Sequence, residues 1–130
     1  GSGDGGDNAR RIGHVWFLTL KSVNSYSGAD GLLIEAVRQH GSDGLVIVGF
    51  GSGSLSSAIF EAGAQAIQHG LPVVIASRAT SGRTLMTPRK EAAGYLVADD
   101  LLPQKARILL MLALVETRDR QAIQEMFYTY

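Results

Sequence analysis

Apolar residues in this chain follow two patterns. Short unbroken runs stand at Leu45 to Val48 (LVIV), Val73 to Ala76 (VVIA) and Tyr95 to Val97 (YLV), and His14 to Leu20 (HVWFLTL), rich in β-branched and aromatic residues, is the first strand candidate. Between them the spacing becomes helical, with Leu33, Ala36, Val37 and His40 on one stripe and Leu55, Ala58, Ile59, Ala62 and Ala66 on the next. Runs without alternation fit strands buried on both faces, and so a parallel sheet. The first strand candidate is the least sharply bounded, because Lys21 to Tyr26 can prolong it. Gly41 and Gly70 end the two stripes as helix stops. Ser77 to Lys90 reads as a long polar loop, longer than most connections. Pro103 then opens a helix that runs to about Thr117. Its segment Ile108 to Val115 is apolar on every side, which predicts deep burial. Asp119 caps a last short helix to about Phe127. The order β-α-β-α-β-loop-β-α-α gives an α/β fold: a small Rossmann- or flavodoxin-like three-layer domain with about four parallel strands.

Gly1 to Asn8 has no apolar residue. Residues 1–11 therefore read as a flexible tail or a cloning scar, and 12–130 as one domain. The 130 residues suffice for a real core. Twelve basic and twelve acidic residues cancel, so there is no electrostatic footprint for nucleic acid or an anionic membrane. The longest apolar run, Ile108 to Val115, is eight residues, against about 20 for a membrane span. There is no cysteine, which excludes disulfides, thiolate catalysis and cysteine–zinc sites.

Candidate chemistry centres on GLVIVGFGSGS, Gly44 to Ser54. An apolar strand, glycines at 49, 51 and 53, and a helix start form a βα corner, where α/β proteins place ligands. Glycine lets another molecule approach the backbone, and the helix N-terminus favours an anionic or carbonyl group. The pattern is not a dinucleotide fingerprint, since Ser54 stands where GxGxxG needs glycine. Two readings remain: a tight turn with Ser54 as an ordinary N-cap, or a small-ligand contact. In the following loop, Gly82 and Arg83 can grip a carboxylate, or the loop is a solvated surface excursion. No GxSxG elbow, base–orienter pair or metal-ligand spacing occurs, so no catalytic residue, metal or cofactor is expected. Gln-His-Gly recurs at 39–41 and 68–70. It reads as repeated helix-end punctuation, with His40 and His69 favoured there by the helix dipole; a metal or proton-transfer role is the alternative.

From Ser25 on, the chain resembles the C-terminal domain of bacterial L-asparaginases of the type II and glutaminase-asparaginase group. Ser25-Tyr26-Ser27-Gly28-Ala29-Asp30 is similar to the family's S-Y-x-G-A-D segment. Asp43-Gly44-Leu45-Val46 with Gly49 to Leu55 resembles its D-G-[IL]-V…G-x-G-x-G-[NS] turn. Pro72-Val73-Val74 with Ser77-Arg78 and Ser81-Gly82 resembles its V-V-x-S-S-R-x-x-x-G. The most discriminating stretch is Pro103 to Leu114, PQKARILLMLAL, closed by Ile123-Gln124, Phe127 and Tyr130.

The resemblance implies a two-domain amidohydrolase that converts asparagine, and in part of the family glutamine, to the acid and ammonia without metal or cofactor. Its threonine nucleophile lies in an N-terminal domain whose motifs this chain lacks, so the chain alone is expected to be inactive. It also implies a homo-oligomer, a dimer within a tetramer, in which this domain completes a neighbour's active site. Ser54 matches the residue that reaches the substrate, and Ser52 and Gly53 belong to the same ledge. Glu91 is the remaining acid between Arg78 and Tyr95 and is carried as the counterpart of a substrate-holding glutamate. The loop is about two residues shorter than the family pattern and lacks its D-A-E stretch. Leu102 replaces a capping asparagine or serine before Pro103, which weakens that cap. The implied compartment is the bacterial periplasm or cytoplasm. An autonomous binding module for a small amino acid or nucleotide, or a dimerisation unit, is the competing expectation.

Overall fold

The computed structural model describes residues 9–12, 15–18, 20–24, 34, 39, 43–49, 54–77 and 83–130. Their elements run β1 (Ala9–Ile12), β2 (Val15–Leu18), β3 (Leu20–Asn24), β4 (Gly44–Gly49), α1 (Ser57–Gln68), β5 (Val73–Ser77), α2 (Pro88–Ala93), β6 (Leu96–Val97), α3 (Pro103–Glu116) and α4 (Arg120–Thr129). Strands β3-β4-β5-β6 form a four-stranded sheet in that order, and every pairing is parallel. Leu45 faces Val73 across the sheet, Ile47 faces Ile75, and Ile75 faces Val97. The expected parallel α/β domain of about four strands is therefore observed.

Alternate residues of each central strand point to opposite faces, and each face has its own core. Leu45, Ile47, Val73, Ile75 and Tyr95 pack with Ile59 and Ala66 of α1 and with Ile34. Val46, Val74, Ala76, Leu96 and Ala98 pack with Ala106, Leu110 and Ala113 of α3 and with Ile123 and Phe127 of α4. A strand order that advances one way, joined by right-handed crossovers, sends each connecting helix to the same face. Helices α3 and α4 follow the last strand and fold back over the other face. Ile34 and Gln39 are helical, and Ile34 is fully buried. The rest of the helix expected at 31–40 lies outside the described residues.

Four expectations need correction. The run His14 to Leu20 is not the first strand of the parallel sheet. Val15–Leu18 pairs antiparallel with Ala9–Ile12, and the sheet begins with Leu20–Asn24. β-branched and aromatic residues call for a strand but do not choose its partner. Pairing accordingly starts at Ala9, inside the stretch 1–11 read as tail. The polar loop after Ser77 is shortened by α2, which Thr87 caps through Lys90 N–H and which Pro88 opens. Thr-Pro was a usable start signal there. Finally, α3 is buried on one side only. Ile108, Leu112 and Val115 are 57%, 61% and 67% exposed.

Two close fits hold the β6 side. Gly63 of α1 is where the ring of Tyr95 arrives, and a side chain at 63 would collide with its hydroxyl. That hydroxyl donates to the Phe60 carbonyl at 2.7 Å. Gly94 ends α2 in the left-handed region, at φ 94°, and lies against Ile67. The outer edge of β6 is sealed by a side chain rather than by a fifth strand. The Gln124 amide accepts from Val97 N–H and donates to Val97 C=O, both at 2.9 Å. Arg120 donates to the carbonyls of Gly94 and Tyr95 beside it.

Replacing Gln124 by leucine leaves a buried backbone donor and acceptor unpaired. It is expected to lower stability by about 2–4 kcal/mol in urea unfolding. Gln121→Ala, on the exposed side of the same helix, is expected to stay within about 0.5 kcal/mol of the parent.

Candidate functional site

Because the sheet is wholly parallel, the carboxyl ends of its strands share one edge. Asn24, Gly49, Ser77 and Val97 mark it. Helix α1 starts from this edge, so its first N–H groups and the positive end of its dipole face the same side. The N-cap is Ser56, whose hydroxyl accepts from Ile59 N–H at 3.3 Å. Ser54 is exposed and precedes the cap by two residues. The reading of Ser54 as N-cap is thereby corrected. A capping hydroxyl bonds the N–H two or three residues on, and with serines at 52, 54, 56 and 57 the sequence left the choice open. With capping assigned to Ser56, Ser54 is left on the surface of the corner. Ser52 and Gly53, the other expected members of the ledge, lie outside the described residues.

A second device closes the neighbouring end of the edge. Arg83 donates from Nε to Oδ1 of Asp99 at 2.9 Å and from Nη2 to Oδ2 at 3.0 Å. Thr84 N–H donates to the Asp99 carbonyl at 2.8 Å. Asp99 adopts φ 59°, uncommon for a residue with a side chain, and the paired arginine and backbone bridge hold it there. The hydrogen bond to Asp99, and then its charge, raise the Arg83 pKa above the ordinary arginine value. The carboxylate that Arg83 grips is thus the chain's own. Gly82 and Arg78 lie outside the described residues. Arg83 remains 63% exposed, so the clasp is a charged surface feature. Sequence reading missed Asp99 because its partner stands 16 positions away.

Glu91 lies elsewhere. It is exposed in α2. It lines a polar groove of about 450 Å³ with Arg120, Gln121, Glu125 and Tyr128, and Ser54 is not part of that lining. No described contact joins the two residues.

Three further titratable groups serve local structure: Tyr95, Lys90 and His69. Burial raises the Tyr95 pKa well above the usual phenol value, which suits its role as a donor to Phe60. Burial also lowers the Lys90 pKa while its Nζ donates to the Leu85 carbonyl. His69 ends α1 with Nδ1 2.8 Å from the Gln65 carbonyl, as the helix-end reading expects. His40 lies outside the described residues. Among the described residues no group of three or more histidine, cysteine, aspartate or glutamate side chains is placed to hold a metal. No described helix is long and apolar enough to cross a membrane.

Fold and site together define a Rossmann-like α/β domain that presents hydroxyl and backbone groups at its carboxyl edge. Residues 21–127 match the family of glutaminase/asparaginase C-terminal domains, and the chain belongs to it. The chain is 39% identical over 110 residues to L-asparaginase 2 of Escherichia coli (strain K12), covering 83% of this chain and 32% of that protein. It is 32% identical over 108 residues to the glutaminase-asparaginase of Pseudomonas fluorescens biotype A, covering 81% and 30%. Among solved structures it resembles a probable cytoplasmic L-asparaginase from Campylobacter jejuni, with a TM-score of 0.81 and 38% identity, covering 86% of this chain and 36% of that one. The chain spans about a third of the length of these relatives. The probable L-asparaginase of Haemophilus influenzae, 33% identical over 107 residues, is named as periplasmic, so similar proteins occur on both sides of the inner membrane.

The two serines are separable by stability. Ser56→Ala is expected to cost about 1 kcal/mol in thermal or urea unfolding through loss of the cap. Ser54→Ala is expected to change stability by no more than about 0.5 kcal/mol.

Proposed function

We propose that this domain is the substrate-facing half of an amide hydrolase acting on asparagine, and on glutamine to a degree set elsewhere. Ser54, with Ser52 and Gly53, forms the ledge that holds the substrate, while the threonine nucleophile belongs to an N-terminal domain of the kind its longer relatives carry. The observation that carries this reading is the exposed Ser54, at the carboxyl edge, in a chain of this family. Its hydroxyl is not the one that caps α1.

Topology favours a composite pocket. Open α/β sheets form a ligand crevice where the strand order reverses. The described sheet advances β3-β4-β5-β6 without reversal. The order of its strands by itself sets no crevice, and in this reading a second body supplies the opposite wall. Donors fixed on a buried sheet hold the substrate's charged ends without reorganising. In this reading the opposite wall comes from a neighbouring subunit of a homo-oligomer. The working compartment is the bacterial periplasm or cytoplasm. Glu91 is retained as a candidate for the substrate's amino group.

Two measurements test this. The 130-residue chain alone is expected to release no ammonia from asparagine; steady turnover would place the nucleophile within it. In a chimera where residues 21–127 replace the matching domain of the Escherichia coli relative, ammonia release is expected, and Ser54→Ala should lower kcat/KM about ten- to hundredfold. Unchanged kinetics in that variant would remove Ser54 from the site.

A further inference from the structure

The residues that lead into α2, 83–87, form neither helix nor strand beyond the single bridge of Thr84 with Asp99, yet they are fastened along their length. Arg83 grips the Asp99 carboxylate with two hydrogen bonds, and Thr84, itself buried, donates its backbone N–H to the Asp99 carbonyl. Lys90 Nζ donates to the Leu85 carbonyl, and the Thr87 hydroxyl accepts from Lys90 N–H. Asp99 is in turn fixed to the sheet. Ala98 N–H continues the ladder beyond β6, donating to the Ile75 carbonyl at 2.9 Å. Carried on from the pairing of Ile75 with Val97, that register sets Asp99 level with Ser77, and Ser77 is level with Gly49. Gly49 opens the corner that leads to Ser54. Clasp and corner therefore share one row across the carboxyl edge, two strand spacings or about 10 Å apart.

Asp99 holds a left-handed backbone, φ 59°, which glycine would take at less cost. What aspartate adds there is the carboxylate for Arg83. We propose that Arg83 and Asp99 are positioning residues for substrate binding, whose clasp fixes residues 83–87 beside the ledge before the substrate arrives. The role rests on the reading of this edge as substrate-facing, and neither side chain is asked to touch the substrate. With the clasp, the segment is already in place in the free protein. Without it, only a fraction of molecules is competent to bind, and the apparent affinity falls by that fraction. The bound complex reaches the same geometry, so the signature is a raised KM with kcat retained.

Hydrogen exchange in the 130-residue chain and kinetics in the chimera carrying residues 21–127 test this together. Exchange of the Thr84 amide should quicken about fivefold in Arg83→Ala and in Asp99→Gly, and KM for asparagine should rise by a similar factor with kcat within about twofold. Glycine suits the backbone at 99, so Asp99→Gly removes the clasp without straining the turn. The double variant should be no worse than either single one, because both remove the same contact. Arg83→Lys keeps the charge but not the two-point grip and should fall between parent and Arg83→Ala. Circular dichroism confirms that each variant is folded. Unchanged exchange, a loss confined to kcat, or additive effects in the double variant would overturn the proposal. A chimera that responds to Ser54→Ala but ignores the Arg83 and Asp99 variants removes the positioning role alone. A chimera that is inactive, or indifferent to Ser54→Ala, removes the substrate reading and the positioning role with it.

Discussion

A parallel sheet of apolar strands cannot leave either face in water, and the rest of this domain follows from that constraint. Strands β4 and β5 carry apolar side chains at successive positions, so they demand two cores. The crossovers between strands supply cover for one face. The other is met by α3 and α4, which turn back after the last strand. Each buried Leu, Ile, Val or Phe side chain contributes roughly 1.5–3 kcal/mol relative to exposure, before the entropy of ordering is counted.

The same constraint produces the functional edge. Parallel strands end together, and helices start where strands end, so polar turn residues collect on one side. Ser54 and the Arg83–Asp99 clasp occupy that side. The opposite problem arises at the lateral edge, where β6 is only two residues long and would expose its own hydrogen-bonding groups. Gln124 imitates a strand with its side-chain amide, and Arg120 takes the neighbouring carbonyls. Edges managed in this way do not recruit foreign strands.

The central strands were legible as sequence because a position buried on both sides tolerates little but apolar residues. Helix ends were legible where a local rule governs them. Asp119 caps α4 through Ala122 N–H, and Leu102, with no acceptor to offer, leaves α3 without a side-chain cap. Reading failed where several residues competed for one local role, as with the serines before α1. It failed also where the partner is remote, as for Arg83 with Asp99 and Gln124 with Val97, and where a strand had two possible partners, as β2 pairs with its sequence neighbour β1 rather than with the sheet. The apolar circumference of α3 was visible in the sequence, but not which half of it the chain would cover.

Hydrophobic periodicity by itself determined that this protein is a parallel α/β domain with a glycine-rich βα corner, because burial and helical or extended repeat act over a few neighbouring residues. Only the tertiary structure decided which serine caps α1 and which faces solvent, which carboxylate Arg83 holds, and which stripe of α3 remains outside. The clasp and the covered stripe depend on contacts between residues far apart in the chain, and the local choice among neighbouring serines is fixed only where the assembled sheet sets the start of α1.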